Sequence, residues 1–151
     1  MKQDNGFHKI LVATDFSPAS DPAVQEATKL AQKDGAELLI AHAYEPPRPL
    51  QIDGYVAPWI YDEWEDTLRQ EAEMALTPLV EAARRSGINA RPVVLKGTPF
   101  KAITDAASFE HADLVVMGTH GRTGLSRLVL GSVAARVAAS APCPVLTVRT
   151  T

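Results

Sequence analysis

Five short runs of apolar residues constrain the fold of this chain more than any other feature of its sequence. The runs lie at residues 9–14, 37–44, 90–96, 113–118 and 144–148. They are almost continuous in isoleucine, leucine and valine, as in KILVAT and DLVVMG, which is typical of strands buried on both faces of a parallel sheet. Helical patterns separate the runs, so the sequence predicts a doubly wound α/β domain with right-handed crossover connections.

The helical patterns have recognisable ends. The first ends at Gly35 and the second, at residues 60–86, ends before Gly87, because glycine readily adopts the left-handed conformation that closes a helix. Pro78 inside the second helix removes a backbone donor, which predicts a kink or a break there. An aromatic cluster at its start is expected either to fix the helix to the sheet or to form a ligand lid or partner surface. Its members are Tyr55, Trp59, Tyr61 and Trp64.

Length and charge narrow the function. The 151 residues and 46% hydrophobic content suit one domain, expected over residues 1–151 with its core at about 8–149. The chain lacks an apolar run of about 18 residues and its start lacks a secretory pattern, so we expect a cytoplasmic protein without membrane contact. Residues 114–151 carry +4 and the remainder −7. The positive charge of residues 114–151 favours a small anionic ligand over nucleic acid, because nucleic-acid-binding surfaces usually contain denser basic and aromatic residues.

Two connections that follow predicted strands carry the chemistry of a ligand site. Ligands of parallel α/β sheets bind beyond the carboxyl ends of the strands, where neighbouring connections diverge to opposite faces. Thr14 and Asp15 follow the first strand, and the connection after the fourth runs from Gly118 to Gly131 and Ser132. Glycines let the backbone approach a ligand closely or adopt positive φ, and the helix N-terminus that follows them favours phosphate. Ser132 is expected to cap that helix and to reach a phosphate as well.

The glycine spacing is more informative than the glycines alone. The pattern Gly118-x2-Gly121-x9-Gly131-Ser132 resembles the nucleotide-binding signature of the universal stress protein family, G-x2-G-x9-G-[ST]. The resemblance covers nearly the whole chain. It includes Thr14-Asp15-Phe16-Ser17, the strand end Leu39-Ile40-Ala41-His42, Gly97-Thr98-Pro99 and Pro142-Cys143-Pro144-Val145.

The resemblance implies a five-stranded parallel sheet of order 3-2-1-4-5 that binds ATP, or ADP or AMP, as a stress-response module. Asp15 would hydrogen-bond the ribose, and the backbones of Thr14 and Ala43 would border the adenine. Ala13 stands where some nucleotide-binding members have proline. The ribose and phosphates would be lined by Met117, Gly118, Gly121, Gly131, Ser132 and Val133. Magnesium can accompany the triphosphate, held by its oxygens and by water.

The resemblance also implies a homodimer, formed by edge-to-edge addition of the last strand from Pro144 to Val148. An uncovered apolar edge would otherwise be a liability. Because the four histidines are dispersed, we expect no metal site made by the protein.

Three functions remain open at this point. The first is a regulatory module whose nucleotide occupancy changes its conformation or partners. The second is a slow ATPase or nucleotidyl-transferring enzyme, in which His120, Arg122 and Arg127 act near the phosphates; these three residues are equally compatible with a solvent-facing turn. The third is a structural homodimer that no longer binds nucleotide. No catalytic residue is assigned, since catalytic sets are recognised by geometry.

Overall fold

The computed structural model describes residues 6–47, 58–120 and 129–150. Strands and helices alternate along this part of the chain. They are β1 (Lys9–Ala13), α1 (Asp21–Asp34), β2 (Glu37–Tyr44), α2 (Pro58–Arg85), β3 (Ala90–Lys96), α3 (Pro99–Phe109), β4 (Leu114–Gly118), α4 (Ser132–Ser140) and β5 (Val145–Val148). All neighbouring strands pair in parallel, in the order β3-β2-β1-β4-β5. The predicted fold class and strand order are therefore confirmed.

The sheet separates two hydrophobic layers. Ile10 and Val12 of β1 face a layer that includes residues of α1 and α2, whereas Leu11 faces a layer built with α3 and α4. All three side chains are fully buried, and burial of each contributes about 1.5–3 kcal/mol. The apolar runs are continuous because both faces of the central strands are covered by helices.

The helix ends agree with the glycine pattern. Gly35 closes α1 in the left-handed conformation, with φ of 69°, and its N–H donates to the carbonyl of Ala31. Gly87 follows α2 with φ of 81°. Both positions suit glycine because a side chain would strain this backbone conformation.

Helix α2 is continuous through Pro78, so of the two predicted alternatives the break is wrong, and the kink stays a prediction. Pro78 lies on the exposed face, where water can hydrogen-bond the carbonyl that proline leaves unpaired. Trp59 and Trp64 are also exposed, at 60% and 52%, and Trp64 packs edge-on against Tyr61 with ring centroids 5.9 Å apart. The helix is held to the sheet by other, buried residues, namely Leu76, Val80 and Ala83. Among the described residues, no helix is both long and apolar enough to cross a membrane.

An ion-pair network ties together the amino ends of the strands, away from their carboxyl ends. The guanidinium of Arg91 lies 2.8 Å from the Glu37 carboxylate and 2.5 Å from that of Glu110. Lys9 adds a contact of 3.3 Å to Glu37. These contacts connect β1, β2 and β3 with the end of α3, and the hydrogen bonds from Arg91 lower the pKa of both glutamates.

Candidate nucleotide site

A cavity of about 270 Å³ opens at the carboxyl ends of β1, β2 and β4. This is where the chain leaves β1 and β4 towards opposite faces of the sheet, the position at which doubly wound folds bind ligands. Ten residues predicted from the sequence line it: Ala13, Thr14, Asp15, Ala43, Met117, Gly118, His120, Gly131, Ser132 and Val133. Gly121, Arg122 and Arg127 lie outside the described residues. The sequence analysis missed six further lining residues, which are Ser20, His42, Pro99, Ile103, Thr119 and Ala134.

The connection after β1 is held by side-chain hydrogen bonds to its own backbone. The Asp15 carboxylate accepts bonds from the Ser17 N–H at 3.0 Å and from the Ser17 hydroxyl at 2.5 Å. The Thr14 hydroxyl accepts the Phe16 N–H at 3.0 Å and pairs with the Ser20 hydroxyl at 2.9 Å. Such turns fix the direction of a short polar side chain. The Asp15 carboxylate is therefore oriented at the cavity before any ligand binds.

His42 supports this connection from the neighbouring strand. Its Nδ1 lies 2.8 Å from the Thr14 carbonyl, and because a carbonyl oxygen can only accept, Nδ1 carries the proton. Its ring packs against that of Phe16 at an angle of 34°, with centroids 4.4 Å apart. Phe16 has φ of 62°, a left-handed conformation that costs a residue with a side chain about 1–3 kcal/mol and persists only where surrounding contacts impose it. His42 helps to impose this conformation on Phe16. In the sequence, its place at the end of a strand was the only signal that His42 lies at the site.

The two described glycines of the signature are required by backbone crowding. A Cβ on Gly118 would lie 2.9 Å from the Ala19 carbonyl oxygen, and one on Gly131 would lie 2.9 Å from that of Thr119. Neither glycine adopts positive φ, so of the two alternatives expected for Gly118 only close approach remains, and Gly121 lies outside the described residues. The close approach predicted for a ligand is found here between chain segments, because the Gly131 N–H donates to the Thr119 carbonyl at 2.7 Å.

Helix α4 presents its N-terminus to the cavity. Gly131 occupies the capping position with φ of −58° and ψ of 154°, and Ser132 is the first helical residue. The expectation that Ser132 caps the helix is thus wrong; its side chain lies exposed beside the cavity. The Ala135 N–H bonds the Gly131 carbonyl at 2.9 Å, so the amides before it have no acceptor within the helix. With no acidic residue in the first turn, this end attracts anions.

His120 connects the two described ends of the signature segment. Its Nδ1 lies 3.0 Å from the Thr119 hydroxyl, and its Nε2 contacts the Val129 carbonyl. Since that carbonyl can only accept, Nε2 carries a proton in this arrangement. Both ring nitrogens are thus engaged within the protein, which suits a positioning residue better than a proton carrier.

The described residues offer few other groups that could bind a metal ion or react with a substrate. Within the described ranges, no group of three or more histidine, cysteine, aspartate or glutamate residues is arranged to hold a metal ion. Cys143 packs against the α3 and α4 layer, and burial raises the pKa of its thiol. The cysteine is therefore a packing residue in this structure.

Comparisons with known proteins agree with this architecture. Residues 6–149 match the model of the universal stress protein family. A universal stress protein of Thermus aquaticus is 40% identical over 144 residues, which cover 95% of this chain and 99% of the relative. Universal stress protein UspA from Lactobacillus plantarum superposes with a TM-score of 0.80 at 27% identity, covering 95% of this chain and 99% of that one.

A universal stress protein solved in complex with cAMP is similar as well. It superposes with a TM-score of 0.73 at 29% identity, covering 97% of this chain and 99% of that chain. The family match, the similar relative and the shared fold lead to one conclusion. The chain belongs to the universal stress protein family.

Proposed function

We propose that the cavity binds an adenine nucleotide and that the protein is a nucleotide-dependent regulatory module of the stress response. The observation that carries the proposal is convergence: residues from three separate strand ends, predicted from the sequence, line one cavity. A carboxylate stands on one side and a free helix N-terminus on the other. The solved relative in complex with cAMP supports a nucleotide of this class.

Each part of a nucleotide has a suitable partner. The Asp15 carboxylate, which Ser17 already orients, accepts hydrogen bonds from the ribose hydroxyls. The backbones of Thr14 and Ala43 border the adenine, and the phosphates lie at the start of α4, where the Ser132 hydroxyl and the free amides donate to them. ATP, ADP and AMP all fit this arrangement, with magnesium carried by the triphosphate. A cytoplasmic location belongs to the same proposal.

The enzyme hypothesis receives less support from the geometry than the binding hypothesis. His120 already uses both ring nitrogens within the protein. We therefore propose binding without assigning a catalytic residue.

We further propose that β5 forms a homodimer by pairing with β5 of a second copy. Leu146 of this edge strand is 36% exposed, and β5 contains neither proline nor charge within VLTV. The opposite edge, β3, carries Arg91, Pro92 and Lys96, residue types that discourage edge pairing. The residue types of the two edge strands therefore favour association through β5 over association through β3.

Calorimetric titration tests the nucleotide site. ATP, ADP and AMP, each with and without magnesium, are titrated into the wild type and into the Asp15→Asn and Ser132→Ala variants. Asp15→Asn keeps an oxygen acceptor for Ser17 but removes the charge, so we expect weaker binding with an unchanged fold. Asp105→Asn is the matched control, because Asp105 is exposed and lies two residues after Ile103, on the opposite side of α3. Absence of binding heat in the wild type with all three nucleotides would contradict the proposal.

A further inference from the structure

Arg136 lies one turn after Ser132 on α4. Its guanidinium carbon is 4.9 Å from the ring centroid of Phe100, in the first turn of α3. Side chains on a helix lean towards its N-terminus, so the arginine stem runs towards the end of α4 that lines the cavity. Phe100 follows Pro99, which lines the cavity from α3. The guanidinium therefore stands between the starts of the two helices that form one wall of the site.

The charge of Arg136 is not neutralised within the described part of the protein. None of the ion pairs among those residues includes it, and the first turns of α3 and α4 contain no acidic residue. Both helices point the positive ends of their dipoles towards this wall. A cation and two helix N-termini thus gather at one side of the cavity without a counter-charge.

The size of the cavity bears on how many phosphates it can enclose. At about 270 Å³ it is slightly smaller than the roughly 300–1,000 Å³ typical of small-molecule sites. A nucleoside with one phosphate at the start of α4 would account for a space of this size. Further phosphates would then extend beyond the lining residues, and Arg136 supplies a cation one turn after Ser132 on the same helix.

We propose that Arg136 makes the site prefer adenine nucleotides with two or three phosphates over the monophosphate. The inference rests on the proposed nucleotide site. In this structure the guanidinium rests on Phe100, a contact that is weak where it is exposed to water. A planar guanidinium donates two parallel hydrogen bonds to a phosphate group, so the terminal phosphates of ADP or ATP draw it from the ring. The shared fold does not dictate this preference, because the solved relative was crystallised with cAMP, which has one phosphate.

The test compares ATP with AMP by calorimetry, without magnesium and then with it, for the wild type, Arg136→Gln and Arg136→Lys. We expect the wild type to bind ATP more tightly than AMP. Arg136→Gln should weaken ATP binding about tenfold and AMP binding less than about threefold, since one charged contact to the outer phosphates is lost. Arg136→Lys should recover part of the preference because it keeps the charge. Arg85→Gln, which removes the same charge in the last turn of α2, is the matched control and should behave as the wild type.

A purely structural role of Arg136 gives a different result. If the arginine only packs α4 against α3, Arg136→Gln and Phe100→Leu lower the melting temperature alike and leave the ratio of ATP to AMP affinity at its wild-type value. That result, or equal wild-type affinity for the two nucleotides, overturns this inference and leaves the nucleotide site standing. A wild type that binds neither nucleotide overturns both proposals.

Discussion

Replacement of Arg91 by glutamine should destabilise the protein by about 1–2 kcal/mol at neutral pH. Arg91 joins the carboxylates of Glu37 and Glu110 at 2.8 and 2.5 Å. A hydrogen bond to a charged group contributes about 1.5–3 kcal/mol when it is sheltered, whereas an exposed ion pair contributes about 0–1 kcal/mol. The three side chains are 39%, 23% and 18% exposed, so each contact lies nearer the limit of an exposed ion pair, and the two together contribute about 1–2 kcal/mol.

The same network predicts how the effect depends on pH. Hydrogen bonds from Arg91 lower the pKa of Glu37 and of Glu110 from the ordinary value of 4.5. A carboxyl group whose pKa is lowered by folding stabilises the folded state above its unfolded pKa, and this contribution is lost as the pH falls through the lowered value. The difference in the free energy of unfolding between the wild type and Arg91→Gln should therefore be complete at neutral pH and shrink below pH 4.5.

Urea unfolding followed by circular dichroism, at about pH 7 and at about pH 3, measures this difference. Arg69→Gln is the control, because Arg69 pairs with Asp66 and Glu73 on the exposed face of α2, and it should leave the unfolding free energy nearly unchanged. An equal loss of stability from Arg91→Gln at both pH values would refute the reasoning. It would assign the effect to packing of the arginine stem.

Two further predictions concern the glycine signature and the sheet edge. Gly131→Ala should destabilise the nucleotide-free protein by about 1–3 kcal/mol, because its Cβ would lie 2.9 Å from the Thr119 carbonyl oxygen; unchanged urea unfolding would show that the segment accommodates it. Leu146→Lys places a charge on the edge strand β5 and should convert a dimer into monomers at micromolar concentration, as measured by sedimentation velocity. A wild type that sediments only as a monomer, or a Leu146→Lys variant that remains dimeric, would contradict pairing through β5.

The strands and their order were predictable because each strand is signalled locally. A run such as that of β1 is apolar at consecutive positions, which few structures other than a doubly covered sheet explain. The predicted strand ends agree with the structure to within one residue, as at Thr14 and Asp113. The strand order came from the resemblance, since apolar runs alone do not specify which strands are neighbours. The ten lining residues came from the same resemblance and from the two connections that follow β1 and β4, while their contact with a nucleotide stays a prediction.

Two features that the sequence analysis missed come from contacts between segments that are distant in sequence. The crowding of Gly118 comes from Ala19, in the connection after another strand. The support that His42 gives to Thr14 joins β2 to the end of β1. A single histidine in an apolar strand has no sequence signature for such a role. The change of cap from Ser132 to Gly131 is a shift of one residue, which depends on backbone angles rather than on residue type.

These contacts also change what the glycine signature means. Gly118 and Gly131 are needed for the packing of backbone segments, so this chain requires both glycines whether or not a ligand is bound. Thr119, which lines the cavity, is also fixed to β5 by its N–H bond to the Val148 carbonyl at 3.1 Å, and a preorganised site lowers the entropic cost of binding. The signature therefore reports on fold as much as on ligand. Ser132 distinguishes a ligand role from a role in the fold better than the glycines do, because its exposed hydroxyl takes no part in capping α4. Ser132→Ala should therefore weaken phosphate binding without loss of stability.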